Sequence, residues 1–182
     1  PYHGKNSENF VGKALQKGYR EKVYIATKSP TWLLKTKTDF RRILEKQLEK
    51  LKTDHIDLYL IHAISEPYMK IIRECEVIEE AARAKKEGLI GHIGFSFHDE
   101  FPLFKTLIDS FDIWEFCQIQ YNYMDSKFQA GTAGLKYAAE RGLGVVVMEP
   151  LRGGQLTVTP SEKIGTLLKK LPWGADPVEA AL

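Results

Sequence analysis

Side chains that could take part in chemistry stand at or near the ends of apolar runs in this sequence. The clearest case is His62, which closes the run of residues 56–62. Such a run is typical of a strand buried on both faces of a parallel sheet, with its last residue at the sheet edge. A histidine there can donate a hydrogen bond while neutral, because its proton affinity lies near neutral pH. A core histidine bonded to a main-chain carbonyl is the simpler alternative.

Four more apolar runs carry polar side chains near their ends. The predicted strands are residues 23–28, 56–62, 90–96, 116–121 and 145–149. Their polar residues are Lys28, His62, Ser96, Gln118 and Glu149. Repeated βα units wind right-handedly, so the strand ends should share one rim. Ligands of parallel α/β proteins bind at that rim.

Helical patterns occupy the segments between the runs. Ser7 is predicted to cap a first helix, because a serine hydroxyl can accept a bond from the first turn. Residues 39–52 place apolar side chains on one face at helical spacing. Residues 74–87 are predicted to form one helix that stops at Gly88.

The strand spacing favours a barrel over an open nucleotide-binding sheet. Five strands in 182 residues imply roughly 250 to 290 residues for eight, close to typical barrel size. No GxGxxG motif follows a predicted strand, so the sequence does not support a dinucleotide-binding site of the Rossmann type. The prediction is an α/β fold, a parallel (β/α)8 TIM barrel that is incomplete here. Residues 1–182 would form one partial barrel domain, with N- and C-terminal units missing.

Composition narrows the classes of partner. The hydrophobic fraction of 43% and the charged fraction of 27% are typical of a soluble globular domain. The net charge is +2 with both signs interspersed, which argues against nucleic acid and anionic membranes. Cys75 and Cys117 form no metal-binding spacing, and no run is long enough to span a membrane. We expect a cytoplasmic protein without a metal site; its oligomeric state is left open.

Several motifs resemble the aldo-keto reductases. Tyr2, Lys28 and His62 form a set, and residues 2–15 are similar to the family's Tyr-x-Gly, Ser-Glu and Val-Gly-x-Ala-Leu segment. Residues 94–96, 118–122 and 148–151 stand where later family motifs stand, in the same order. The resemblance covers nearly the whole chain. It implies an NAD(P)H-dependent oxidoreductase that reduces an aldehyde or ketone to an alcohol.

The resemblance assigns a role to each member of the set. Tyr2 would give the proton, Lys28 would tune its pKa, and His62 would orient the substrate carbonyl. These residue types suit the chemistry, because a tyrosine with a pKa of about 10 is a poor acid at neutral pH. A nearby ammonium group stabilises phenolate and makes the tyrosine a better donor.

The resemblance also implies the cofactor and its contacts. The cofactor would be NADPH, or less often NADH, and the substrate a small-molecule carbonyl compound. Ser96 and Gln118 match positions that hold the nicotinamide carboxamide, and Met148 falls where many members stack an aromatic ring. Leu151 and Gly153 match the loop beneath the pyrophosphate. Glu149 is assigned to the same cofactor rim, although a loop or cap role is the alternative.

Some positions depart from the family pattern. Phe97 replaces the usual asparagine after the serine, which removes one expected carboxamide contact. The aspartate expected five residues before the tyrosine lies outside the chain, as does the adenosine-binding segment. The sequences of residues 94–98 and 148–154 are similar to those of a branch of the family whose members often carry a C-terminal iron–sulfur extension. A cluster would be expected only in such a missing extension.

Two other functions stay open at this stage. A metal-dependent TIM-barrel hydrolase could use His62, His98 and Glu149, although its usual paired-histidine motif is absent. A nucleotide-sensing regulatory subunit of the same fold would keep cofactor binding and lose turnover.

Overall fold

A computed structural model describes residue 4, residues 6–158, residues 161–170 and residue 178. Within these residues, strands and helices alternate along the chain. The strands are β1 (Ala26–Pro30), β2 (Ile56–Ile64), β3 (Ile90–Phe97), β4 (Phe116–Gln120) and β5 (Gly144–Met148). The helices are α1 (Ser7–Ala14), α2 (Asp39–Leu51), α3 (Glu66–Glu74), α4 (Val77–Lys86), α5 (Phe101–Ser110), α6 (Gly131–Glu140) and α7 (Glu162–Leu168). Short 3-10 helices span Arg20–Lys22, Thr31–Leu33 and Arg152–Thr157.

The five strands form one sheet in the order β1-β2-β3-β4-β5, and every neighbouring pair is parallel. At least one helix lies between each strand and the next along the chain. A doubly wound sheet reverses its strand order at a switch point, whereas a barrel wall does not. The unbroken order within the described residues therefore agrees with the predicted barrel units.

The first strand begins and ends later than predicted. The prediction ended it at Lys28, but β1 starts at Ala26 and continues to Pro30, which pairs with His62. At the residue before the strand, the Ile25 N–H donates to the Asp57 carboxylate at 2.8 Å. Proline is tolerated at a strand end, because the missing N–H costs little there. Lys28 consequently lies in the middle of β1. The other strand ends differ from the predictions by two residues or fewer.

Helix α2 confirms the predicted amphipathic pattern. Its buried residues include Phe40, Leu44 and Leu51. The Asp39 carboxylate accepts bonds from the backbone N–H groups of Lys35 and Thr36, both at 2.9 Å. These bonds fix the loop that enters the helix. The bond from Arg42 and that from the Lys35 N–H hold the pKa of Asp39 well below its usual range.

Two predicted helix boundaries were wrong. Asn6, not Ser7, is the residue before α1, and it makes no side-chain cap bond. The predicted helix over residues 74–87 begins later, as α4 at Val77, because Glu76 before it has a φ of +50°. Helix α3, which ends at Glu74, was not predicted. A residue in the left-handed region cannot continue a right-handed helix, so the chain changes direction there.

The two faces of the sheet have different surroundings. Side chains of one face pack against the helices: Tyr59 contacts the ring of Phe40, and Phe95 contacts the ring of Phe104. All four are fully buried. We call the other face, which includes Lys28, Leu58, Leu60, Gln118 and Val146, the inner face. None of the described helices is both long enough and apolar enough to traverse a lipid bilayer.

Candidate active site

A cavity of about 340 Å³ lies over the inner face. The residues that line it come from α1, from the loop before β1, and from α2, β1, β2, β4 and β5. They are Ser7, Glu8, Val11, Ile25, Ala26, Thr27, Lys28, Leu51, Leu58, Leu60, Phe116, Gln118 and Val146. Two of the predicted site residues, Lys28 and Gln118, therefore share one cavity although 90 positions separate them in the sequence.

Buried polar side chains hold the main chain at Lys28. Gln47, on α2, donates through Nε2 to the Lys28 carbonyl at 2.9 Å and to Glu8 Oε1 at 2.6 Å. Its Oε1 accepts from the Tyr59 hydroxyl at 2.6 Å. Glu8 also accepts from Lys50 at 3.2 Å. Burial lowers the pKa of Lys28 from its ordinary value. The sequence reasoning missed this network because Gln47 is one polar position in an otherwise ordinary amphipathic helix.

His62 stands near the end of β2, at the predicted rim. It pairs with Pro30, and Lys28 pairs with Leu60, so His62 lies two residues further along β2 than the partner of Lys28. Its ring is 4.9 Å from the Trp32 ring, centroid to centroid. Burial, and then the positive charge of Lys28, lower the pKa of His62 to about 4. The ring is therefore neutral at pH 7, as a hydrogen-bond donor to a carbonyl oxygen should be.

A bulge interrupts β2 directly after His62. The pairing of β2 with β3 shifts between Ile61–Phe95 and Ile64–Phe97. Two residues, His62 and Ala63, therefore stand opposite Ser96 alone. Ala63 has a φ of +53°, which is uncommon for a residue other than glycine. Its N–H donates to Ser96 Oγ at 2.8 Å.

Ser96 and Gln118 are directly paired neighbours on β3 and β4. Ser96 is fully buried. Gln118 Oε1 is buried and makes no hydrogen bond to any described residue. An unsatisfied buried acceptor is costly, and a primary amide N–H would satisfy it. This pair of residues therefore fits the carboxamide of a nicotinamide ring.

Phe97 points away from the site. It is fully buried and contacts the rings of Phe95 and Phe104. Its position on β3 therefore contributes core packing. Phe97 therefore supplies no contact to a carboxamide, as its replacement of the family's asparagine predicts.

The end of β5 brings the remaining predicted cofactor residues to the same rim. Met148 pairs with Gln120. Glu149, Arg152, Gly153 and Gly154 all have positive φ, so the chain winds tightly after the strand. Leu151 lies within this turn, and the Gly154 N–H donates to its carbonyl at 2.9 Å. The Glu149 carbonyl accepts from Asn122 Nδ2 at 3.2 Å.

Asn122 links the loops after β4 and β5, a role that the sequence reasoning did not assign. It is 3% exposed. Its Oδ1 accepts the N–H groups of Met124 at 3.0 Å and Asp125 at 2.9 Å, as in an Asx turn. The only indication of such a role in the sequence was the position of Asn122 in the motif of residues 118–122.

Two other candidates have different outcomes. Tyr2, the predicted proton donor, lies outside the described residues, so its relation to Lys28 stays a prediction. The His98 side chain is exposed at the rim, and its backbone N–H donates to the Ile64 carbonyl at 3.2 Å. No cluster of His, Cys, Asp and Glu side chains suited to a metal ion occurs among residues 6–158 and the other described positions.

The parallel strands of these βα units carry a lysine, a histidine, a serine and a glutamine. Such an arrangement defines a class, barrel proteins that bind a ligand among residues of their parallel strands. Comparison narrows this class. A model of the aldo/keto reductase family matches residues 1–170. The chain belongs to the aldo/keto reductase family, as its motifs indicate.

Two relatives show the extent of the similarity. The chain is 31% identical over 167 residues to the aldo-keto reductase YhdN of Bacillus subtilis, covering 86% of this chain and 47% of the relative. It is 28% identical over 177 residues to the NADH-specific methylglyoxal reductase of Escherichia coli, covering 87% and 52%. The chain thus spans about half the length of these curated relatives.

Solved structures agree with this assignment. The holo form of aldo-keto reductase AKR11C1 from Bacillus halodurans superposes with a TM-score of 0.74 at 29% identity, covering 96% of this chain and 60% of that one. The thermostable aldo-keto reductase Tm1743, in complex with the inhibitor epalrestat, gives a TM-score of 0.75 at 29% identity, with 93% and 58% covered. The predicted fold, an incomplete (β/α)8 barrel with about five strands, is confirmed.

Proposed function

We propose that the protein is an NAD(P)H-dependent carbonyl reductase. The observation that carries the proposal is the placement of Lys28 and His62 on neighbouring strands, offset by two residues in the strand register. The charge of Lys28 contributes to the low pKa of His62. A neutral imidazole next to an ammonium group is the pair that carbonyl polarisation and tyrosine activation require.

Each residue has a defined part in this reaction. The nicotinamide, when bound, supplies the hydride to the carbonyl carbon. His62 binds and polarises the carbonyl oxygen through a neutral ring N–H. Tyr2 gives the proton to that oxygen, and the Lys28 ammonium lowers the pKa of the Tyr2 hydroxyl. The proton thus arrives on oxygen as the negative charge develops there.

The chain also offers residues that would hold the cofactor. Gln118 Oε1 would accept from the carboxamide N–H, and the Ser96 hydroxyl, whose oxygen accepts from Ala63, can still donate. Met148 would cover the ring face as a polarisable thioether. Leu151 and Gly153 would lie beneath the pyrophosphate, and Glu149 would border the same rim. The proposal needs neither a metal nor an iron–sulfur cluster.

The substrate is proposed only as a class, a small aldehyde or ketone. The Escherichia coli relative is named for methylglyoxal and for NADH. Methylglyoxal is therefore the first substrate to assay, with NADH and NADPH in parallel. A cytoplasmic location and a single barrel domain over residues 1–182 stay predictions.

The cofactor test is a fluorescence titration of the protein with NADPH and NADH. Saturable binding is expected, and Gln118→Leu should weaken it about tenfold, equivalent to about 1.4 kcal/mol. Gln16→Leu, at an exposed position, is the control and should bind as the wild type does. Absence of binding at millimolar cofactor would overturn the proposal. Binding without turnover of any aldehyde would instead indicate a nucleotide-sensing subunit.

A further inference from the structure

The peptide unit between His62 and Ala63 is held from two sides. The Thr31 hydroxyl, just beyond β1, donates to the His62 carbonyl. The Ser96 hydroxyl, on β3, accepts from the Ala63 N–H at 2.8 Å. Thr31 and Ser96 are both fully buried. The carbonyl and the N–H of one peptide plane are thus hydrogen-bonded to two different hydroxyls. Thr31 directly follows β1, and Ser96 lies on β3.

The bulge explains why side chains make these bonds. An extra residue in a strand is left without a partner on the neighbouring strand, so the N–H of Ala63 needs a separate acceptor. The φ of Ala63, +53°, adds a conformational cost that the surrounding structure must offset. Bulges next to active sites commonly re-aim a side chain. Here His62 directly precedes the left-handed residue of the bulge.

We propose that Thr31 and Ser96 are positioning residues that hold the His62–Ala63 peptide and so aim the His62 ring at the substrate carbonyl. The inference rests on the proposed reductase function, because that function gives His62 its substrate oxygen. Ser96 then serves two purposes: its hydroxyl oxygen fixes the bulge, and its proton remains for the cofactor. Thr31 serves only the first purpose.

Thr31 offers a matched pair of variants. Thr31→Val removes the hydroxyl and keeps the shape of the side chain, whereas Thr31→Ser keeps the hydroxyl. Thr31→Val should lower kcat by up to about 10²-fold, because a misplaced catalytic group costs about that much. The dissociation constant for NADPH should stay at the wild-type value. Thr31→Ser should retain wild-type kcat, which a purely steric role of Thr31 would not predict.

A second measurement tests the aim of the ring without relying on activity. In an NMR spectrum of the cofactor-free protein, the His62 ring signals should carry a ring-current shift from the Trp32 ring, whose centroid is 4.9 Å away. Thr31→Val and Ser96→Ala should both move these signals, and Ser96→Ala should also remove hydrogen-exchange protection from the Ala63 amide. Thr31→Ser should leave them unchanged. If Thr31→Val does not fold, Ser96→Ala decides the question alone.

The outcomes separate this inference from the reductase function. Unmoved His62 signals in both Thr31→Val and Ser96→Ala would overturn the positioning role, whatever the activity. A Ser96→Ala variant that loses only cofactor affinity would overturn it as well. A wild-type protein without reductase activity would overturn the proposed function, while the NMR measurements would still test whether the two hydroxyls orient the ring.

Discussion

Gln47 Nε2 donates to the main-chain carbonyl of Lys28 at 2.9 Å, from a side chain that is 4% exposed. This bond connects helix α2 to the strand that carries the proposed lysine. Glu8 joins the same network at 2.6 Å from Gln47. Glu8 follows Tyr2 by six positions in the sequence. The network therefore joins helices α1 and α2 to the main chain at Lys28.

The Tyr59 hydroxyl completes this network, and its removal should weaken the fold. Tyr59→Phe leaves Gln47 Oε1 buried without its donor, which should cost about 1–3 kcal/mol of the free energy of unfolding. Tyr19→Phe, at a side chain that is 57% exposed, is the control and should change stability by less than about 0.5 kcal/mol. Urea denaturation of both variants is the measurement. Equal free energies of unfolding for Tyr59→Phe and Tyr19→Phe would show that the Tyr59 hydroxyl does not stabilise the network.

Tyr2→Phe should remove most turnover and leave cofactor affinity at the wild-type value. The ring contacts remain in this variant, and only the proton donor is lost. General acid catalysis contributes about 10²- to 10⁴-fold, so a loss of that order in kcat is expected. Tyr24→Phe, at a position that is 86% exposed, should retain full activity. A Tyr2→Phe enzyme with near wild-type kcat would show that another group gives the proton.

His62 should make the stability of the protein depend on pH. Burial lowers its pKa to about 4, from an ordinary value of 6.5. Between these values the unfolded state binds more protons, so the free energy of unfolding should fall as the pH decreases from 6.5 to 4. This contribution is fully present above pH 6.5 and is lost by pH 4. His62→Gln should show a shallower decline across the window, measured by denaturation at several pH values. An NMR titration of His62 with a midpoint near 6.5 would contradict the expectation.

Gly94→Ala should destabilise the protein through a clash at the inner face. A Cβ at Gly94 would lie 2.6 Å from the Phe116 carbonyl oxygen and 2.6 Å from its ring. Overpacking of this kind typically costs about 1–3 kcal/mol. Gly144→Ala, where the nearest atom, Phe116 Cβ, is 3.4 Å away, is the matched control in the same sheet and should be tolerated. The midpoints of urea denaturation, compared at an unchanged m-value, measure the difference in the free energy of unfolding between the two variants. Equal midpoints would mean that the sheet relaxes around residue 94.

The sequence by itself determined the strand and helix alternation and most of the candidate residues. Continuous apolar runs and helical periodicity are local signals, and they located four of the five strands to within two residues at either end. The motifs around Lys28, His62, Ser96 and Gln118 indicated the family, because residue types and their order are also properties of the linear chain. Boundaries that depend on neighbours were wrong. Strand β1 continues to Pro30 because it pairs with His62.

Only the tertiary structure decided how those residues are held. The bulge after His62 arises from a mismatch between two strands, and neither strand shows it alone. Thr31 and Gln47 gained their roles by lying next to main-chain groups far away in the sequence. The unpartnered oxygen of Gln118 is likewise a property of its burial. A local pattern specifies which side chains are present, but hydrogen-bond geometry and desolvation depend on what the folded chain places around them.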